Sequence, residues 1–201
     1  MEYVVGQRAE TRPPVDGIIL QAPVSDREGL EKDLPQAFMN EANQLALKMC
    51  REGQGKDFMP HRLTQSMGDL AITAKRWVDI ASPAPNRDGA DDYFSQDLSD
   101  ERLALTFGRL PPSTPLLILY SGSDETVADF VDARKLVQRW LHTTEKHGGS
   151  VDAINSGIVE GASHNLNGQP AAIIQDLVRR VNGFVTRIEK GEIGVKFKST
   201  V

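Results

Sequence analysis

A single cysteine, Cys50, stands in a chain of 201 residues, so an intrachain disulfide is excluded. That fits a reducing compartment, and a cytoplasmic location is the expectation. Long apolar runs are missing too. No stretch approaches the ~18 residues of a membrane span. The opening Met-Glu-Tyr-Val-Val-Gly-Gln-Arg has no basic region followed by an apolar core. Neither a membrane partner nor a secretory signal is expected. Excess positive charge is lacking: the net charge is −5 and the lysines and arginines are scattered, which argues against nucleic acid as a partner. Gly-x-Gly-x-x-Gly and Gly-Lys-Ser/Thr are absent, leaving no nucleotide-phosphate cradle, and no cofactor is expected. His142 and His147 are spaced off a common helix face and lack a Cys or His cluster beside them, so no metal site is expected. Asp88, Asp91 and Asp92 imitate a cation loop but read better as a solvated acidic loop. No internal repeat or low-complexity tract is present. The remainder, 39% hydrophobic and 25% charged, is the composition of one ordinary globular domain.

Two apolar runs stand out. Leu116 to Tyr120 is unbroken and of a length that suits a strand buried on both faces of a parallel sheet. Val15 to Ala22 is a second such strand, closed by Pro23. Ser150 to Val159 supplies a third. Helices are expected over Pro35–Arg51, with Phe38, Ala42, Leu45 and Met49 on one face, over Leu70–Ala81, and in a short helix capped by Ser99 and running through Phe107. A longer helix should span Ala128–His147, with Ala133, Val137, Trp140 and Leu141 as its stripe. Another opens at Pro170, with Ile174, Leu177, Val178, Val181, Val185 and Ile188 on one face. Met1–Gln7 reads as the end of a helix, and 190–201 as a polar, frayed tail. The order strand, helical insertion, strand, helix, strand, helix implies an α/β fold with parallel strands and right-handed crossovers. The insertion, at about 27–110, has the place of a lid over the sheet's active-site edge.

Chemistry in open α/β sheets gathers beyond the carboxyl ends of the strands. Asp124 sits there, after Ser121-Gly122-Ser123 at the end of the central run. His164 sits on the corresponding loop, Glu160 to Asn167, after the third strand. An acid loop followed by a histidine loop is the order of the last two members of a Ser…Asp…His triad on such a sheet. Asp124 could orient an imidazole and His164 could act as general base. Each also has a plain reading, as a turn aspartate and a loop histidine; the pairing and the order favour the catalytic one. Glu125 is the rival acid, one position further from the strand. The nucleophile elbow, Gly-x-Ser-x-Gly, is absent. Ser66, in Thr64-Gln-Ser66-Met-Gly68, lacks the preceding strand and the first glycine. Ser25 lies at a strand end with no helix expected directly after it. Ser121, Ser123 and Ser163 read as turn formers.

Val15-Asp-Gly-Ile-Ile-Leu-Gln-Ala-Pro-Val-Ser-Asp-Arg-Glu28, Ile72-Thr-Ala-Lys-Arg-Trp77, Asp91-Asp-Tyr-Phe-Ser95, Leu117-Ile-Leu-Tyr-Ser-Gly-Ser-Asp-Glu125 and Gly161-Ala-Ser-His-Asn-Leu166 together resemble a fungal and plant α/β-hydrolase family. That family includes esterases of fusarinine-type siderophores. The resemblance covers roughly Met1 to Ile188. It implies an α/β-hydrolase fold with a helical lid and a serine-type ester hydrolase acting on a small-molecule ester such as a ferric siderophore. Asp124 and His164 match the family's triad acid and base. The family's serine lies just before a helix whose end resembles Met1–Gln7, and neither the elbow nor an oxyanion loop matches here. The chain therefore reads as the C-terminal part of such a hydrolase, N-terminally truncated and inactive alone, with an exposed sheet edge open to self-association. A non-catalytic ligand-binding or interaction module is the alternative.

Overall fold

In a computed structural model, which describes residues 1–65 and 70–194, the chain divides into two compact units. One joins Met1–Pro23 to the chain from Gln96 onward; the other is Val24–Ser95. The residues expected in a lid, about 27–110, divide between them.

The first unit holds a parallel sheet of three strands, β1 (Ile18–Gln21), β2 (Leu116–Ser121) and β3 (Gly157–Val159), with β2 in the middle. All six residues of β2 are buried, the reason its sequence shows no polar alternation. Its two faces serve different helices. Leu117 and Leu119 pack with Val159, Ala162 and Phe184, the last from the helix α7 (Ala171–Glu189). Tyr120, on the other face, lies 6.3 Å from Trp140 of α6 (Ala133–Lys146), which stacks on Phe107 at 5.3 Å. These are ring-centroid distances within the range of favourable aromatic pairs. A short helix α5 (Asp100–Ala104) begins where expected, Ser99 Oγ accepting from the Arg102 N–H at 3.2 Å. The first helix, α1, spans only Glu2–Val5.

Two expected elements are shorter here, for visible reasons. The 150–159 segment is a strand only at Gly157–Val159, with Val151 making an isolated bridge to Leu116. Between them the buried Asp152 carboxylate accepts from the N–H groups of Ile154 and Asn155, each at 3.2 Å, and from Asn155 Nδ2 at 2.7 Å. A side chain that captures nearby backbone donors draws them out of the ladder. The helix expected from Ala128 starts at Ala133 instead, because Asp132 caps it through the Lys135 N–H at 3.1 Å. Its buried stripe is Leu136, Val137, Trp140, Thr143 and Thr144 rather than one built on Ala133 and Leu141.

The second unit is helical: α2 (Asp26–Asp33), α3 (Gln36–Arg51) and α4 (Ala74–Ala81). Its core joins Met39, Ala42 and Ala46 of α3 to Trp77 of α4, whose Nε1 donates to Asn43 Oδ1 at 2.8 Å. Phe38, Leu45 and Met49 pack partly buried around that core. The helix expected from Leu70 begins only at Ala74, where Thr73 caps the Arg76 N–H at 3.2 Å. Ser66 lies outside the described residues.

Two sequence expectations are corrected in this unit. A helix does follow Ser25 directly, and Ser25 Oγ is its cap, accepting from the Glu28 N–H at 3.1 Å. The acidic segment is not a solvated loop throughout. Asp92 is buried and takes the Arg27 Nε at 3.0 Å, while its other oxygen accepts from Ser95 Oγ. Ser95 in turn meets Ser25 Oγ at 2.5 Å. A buried charge is tolerated when it is paired and fully hydrogen-bonded, and this one ties the two ends of the unit together.

Candidate active site

β2 ends in Ser121-Gly122-Ser123-Asp124, and β3 runs on into Glu160–His164. The two loops stay side by side past the strands. Gly122 N donates to Val159 O at 3.0 Å, Ser123 N to Ala162 O at 2.9 Å, and Ser121 Oγ to Ser163 O at 3.0 Å. Gly122 is what allows this approach: a Cβ there would sit 3.1 Å from Val159 O and 3.0 Å from Ile158 Cγ2. The histidine loop turns at Gly161 and at Leu166, both in the left-handed region at φ 73 and φ 61.

This pairing of loops delivers His164 to Asp124. The imidazole Nδ1 lies 2.9 Å from Asp124 Oδ2; the carboxylate side chain is 1% exposed and the imidazole 39%. Asp124 Oδ1 is filled separately by Thr126, through its N–H at 3.0 Å and its Oγ1 at 2.6 Å. A carboxylate can only accept, so Nδ1 carries the proton, and in the neutral ring Nε2 then keeps its lone pair. The arrangement can therefore hold a neutral imidazole in one tautomer, with Nε2 able to take a proton.

The structure thus brings together Asp124 and His164, the two site residues read from sequence. Glu125, the rival acid, reaches the main chain of His164 and not the ring: its Oε2 accepts the His164 N–H at 3.0 Å. That bond, with a further one from its own backbone, holds the Glu125 carboxyl below the ordinary glutamate range. Two residues were missed. Gln21 Nε2, at the end of β1, donates to the His164 carbonyl at 3.0 Å. Thr126 fills the second Asp124 oxygen. Gln21 could have been noticed as the one polar residue in Ile18-Ile-Leu-Gln21; nothing marked Thr126. Among the serines, Ser123 lies in a turn as expected. Ser121 is instead the buried last residue of β2. Ser163 lies outside any turn, and its buried hydroxyl makes no hydrogen bond. No helix among the described residues is long and apolar enough to cross a membrane.

Comparison with known proteins places this geometry. Residues 1–186 match the family described as "Protein of unknown function (DUF1749)". The chain belongs to this family. Two of its relatives are fungal proteins named as esterases. An esterase of Emericella nidulans is 35% identical over 210 residues, covering 89% of this chain and 54% of that protein. The fusarinine C esterase sidJ of Aspergillus fumigatus is 32% identical over 201 residues, covering 89% and 57%. Among solved structures, the siderophore hydrolase EstB of Aspergillus fumigatus superposes with a TM-score of 0.70 at 32% identity, over 92% of this chain and 62% of its own. The fold is thus that of an α/β-hydrolase, and relatives within the family are named as ester hydrolases. This chain spans about half the length of the curated relatives it matches.

Proposed function

We propose that this DUF1749 chain carries the acid and the base of a serine-type ester hydrolase. The observation behind the reading is a buried Asp124 carboxylate 2.9 Å from a half-exposed imidazole, beyond the carboxyl ends of two adjacent parallel strands. His164 Nε2 takes the proton of a serine hydroxyl as its oxygen attacks the ester carbonyl, then returns that proton to the leaving alkoxide. Water repeats the cycle on the acyl-enzyme. Asp124 holds the Nδ1–H tautomer and stabilises the imidazolium. The substrate is a small-molecule ester, and the names of the relatives favour a siderophore. Its iron would enter with the substrate, and the proton transfers above involve no metal. The lid is read at about 27–110, part of which is the helical unit Val24–Ser95.

The same reading holds that these 201 residues alone do not turn over esters. Acyl transfer needs a serine within ~2.6–3.2 Å of the base and donors facing the oxyanion. No Gly-x-Ser-x-Gly occurs in the sequence. Ser25 is engaged as a helix cap, and Ser163, though its hydroxyl is free, adjoins His164 on one loop. The test is a serine-directed fluorophosphonate: no covalent labelling is expected, and residual ester turnover should be unchanged by His164→Ala. Stoichiometric labelling, lost on mutating Ser163 or Ser66, would sink the reading. Saturable siderophore binding without turnover would favour a binding module instead.

A further inference from the structure

Three side chains from the ends of two strands close on one residue. Asp124 takes the His164 ring, Glu125 takes its N–H at 3.0 Å, and Gln21 takes its carbonyl at 3.0 Å. The last two contacts reach the peptide groups on either side of the His164 Cα. The loop around His164 has no helix or strand hydrogen bonding of its own, so its peptides are fixed from outside, by these two contacts and by Ser121 Oγ on Ser163 O at 3.0 Å. A single bond at Nδ1 would leave the ring free to follow any rocking of the backbone beneath it.

Resting on the reading of His164 as the base, we propose that Glu125 and Gln21 are positioning residues. They clamp the His164 peptide so that Nδ1 faces Asp124 and Nε2 is left for the reacting serine. Neither touches the ring, and neither exchanges a proton with substrate. The lowered pKa of Glu125 agrees, since it reflects a bond to the charged carboxylate from the His164 N–H. The adjacency of Asp124 and Glu125 gives the clamp its economy: one stretch of chain leaving β2 places both the ring partner and the main-chain partner. Gln21 adds the third strand of the sheet, so every strand end contributes to the placement of one imidazole.

The test uses the 201-residue protein labelled with nitrogen-15. Ring nitrogen shifts report the tautomer of His164, and deuterium exchange reports its backbone amide. In the wild type the Nδ1–H tautomer should dominate. Glu125→Ala and Gln21→Ala should give mixed tautomers, and the Glu125 variant should speed amide exchange at His164 by about tenfold or more. Glu125→Gln, which keeps an acceptor oxygen, should restore both signals. A merely structural role would move the amide alone: persistence of the Nδ1–H tautomer in both alanine variants, with the amide deprotected, overturns the proposal. Asp124→Asn separates the two levels of the argument. If it leaves the tautomer unchanged, the Asp124–His164 pairing itself fails. If it scrambles the tautomer while the alanine variants spare it, the clamp alone fails. Should an alanine variant not fold, Gln21→Met keeps the bulk while removing the donor, and the same outcomes decide.

Discussion

Both oxygens of Asp124 are spoken for, one by Thr126 and one by the His164 imidazole, and the side chain is withdrawn from water. Glu125 lies in the open, and its Oε2 accepts the His164 main-chain N–H. The two neighbours should therefore behave differently. In a chimera carrying the part of sidJ that the match does not cover, Asp124→Asn should lower turnover by ~10³–10⁴, as for a triad aspartate whose loss presents the wrong tautomer. Glu125→Gln, which preserves an acceptor, should cost little. Reversed effects in steady-state kinetics would reassign the acid. Glu125 also carries a pH signature. Its folded pKa is lowered relative to the unfolded chain, so its contact is fully present above the ordinary glutamate range and is lost as pH falls through the lowered value. Protection of the His164 amide should accordingly survive acidification through the usual glutamate titration and disappear only below it.

The elements show where sequence reading succeeded and where it stopped. β2 was legible because burial on both faces leaves an unbroken apolar run; α7 was legible as a helix, but its packed face runs through Ile173, Leu177, Val181, Phe184 and Ile188, while Ile174, Val178 and Val185 of the expected stripe are exposed. Asp124 and His164 were legible as residues just past such strands. What failed to show was set by side chains reaching back to nearby backbone. Asp152 cut β3 short, Asp132 and Thr73 delayed two helices, and Ser25 started one that was not expected. Periodicity does not register a cap. Nor does it register a partner far off in sequence, which is how Gln21 escaped notice beside His164 and how Asp92 passed as solvated. The Arg27–Asp92 pair is testable at this scale. Removing one partner of a buried ion pair typically costs about 3–5 kcal/mol, and the loss should fall toward the lower end here because Arg27 Nη1 also lies 3.4 Å from Glu31 Oε2. Asp92→Ala should thus strongly accelerate hydrogen exchange in α2. The double variant Arg27→Met, Asp92→Leu, with no charge to strand, should be milder. Equal effects would mean that the pair's stabilisation is not a matter of charge compensation.

For the molecule as a whole the open question is the outer edge of β1. Among the described strands β1 pairs with β2 alone. Ile18 N and Ala22 N turn toward β2, donating to Pro115 O and Leu119 O. By the alternation of a strand, the backbone groups of Ile19 and Gln21 face away from β2. The Ile19 side chain is 41% exposed, and α7 carries Val178 at 47% and Val185 at 43% exposed on its outer side. An apolar strand edge with unpaired peptides is a template for another strand. Burial stabilises by ~25 cal/mol per Å², whereas a folded domain holds only ~5–15 kcal/mol in all. Covering a few hundred Å² would be a large fraction of that margin. The isolated chain should therefore self-associate at micromolar concentration, and Ile19→Lys, which places a charge on the edge, should shift it toward monomer. Sedimentation analysis decides the matter. A wild-type monomer that unfolds in one sharp, reversible thermal transition would mean that the edge is no liability and that three strands and their helices suffice.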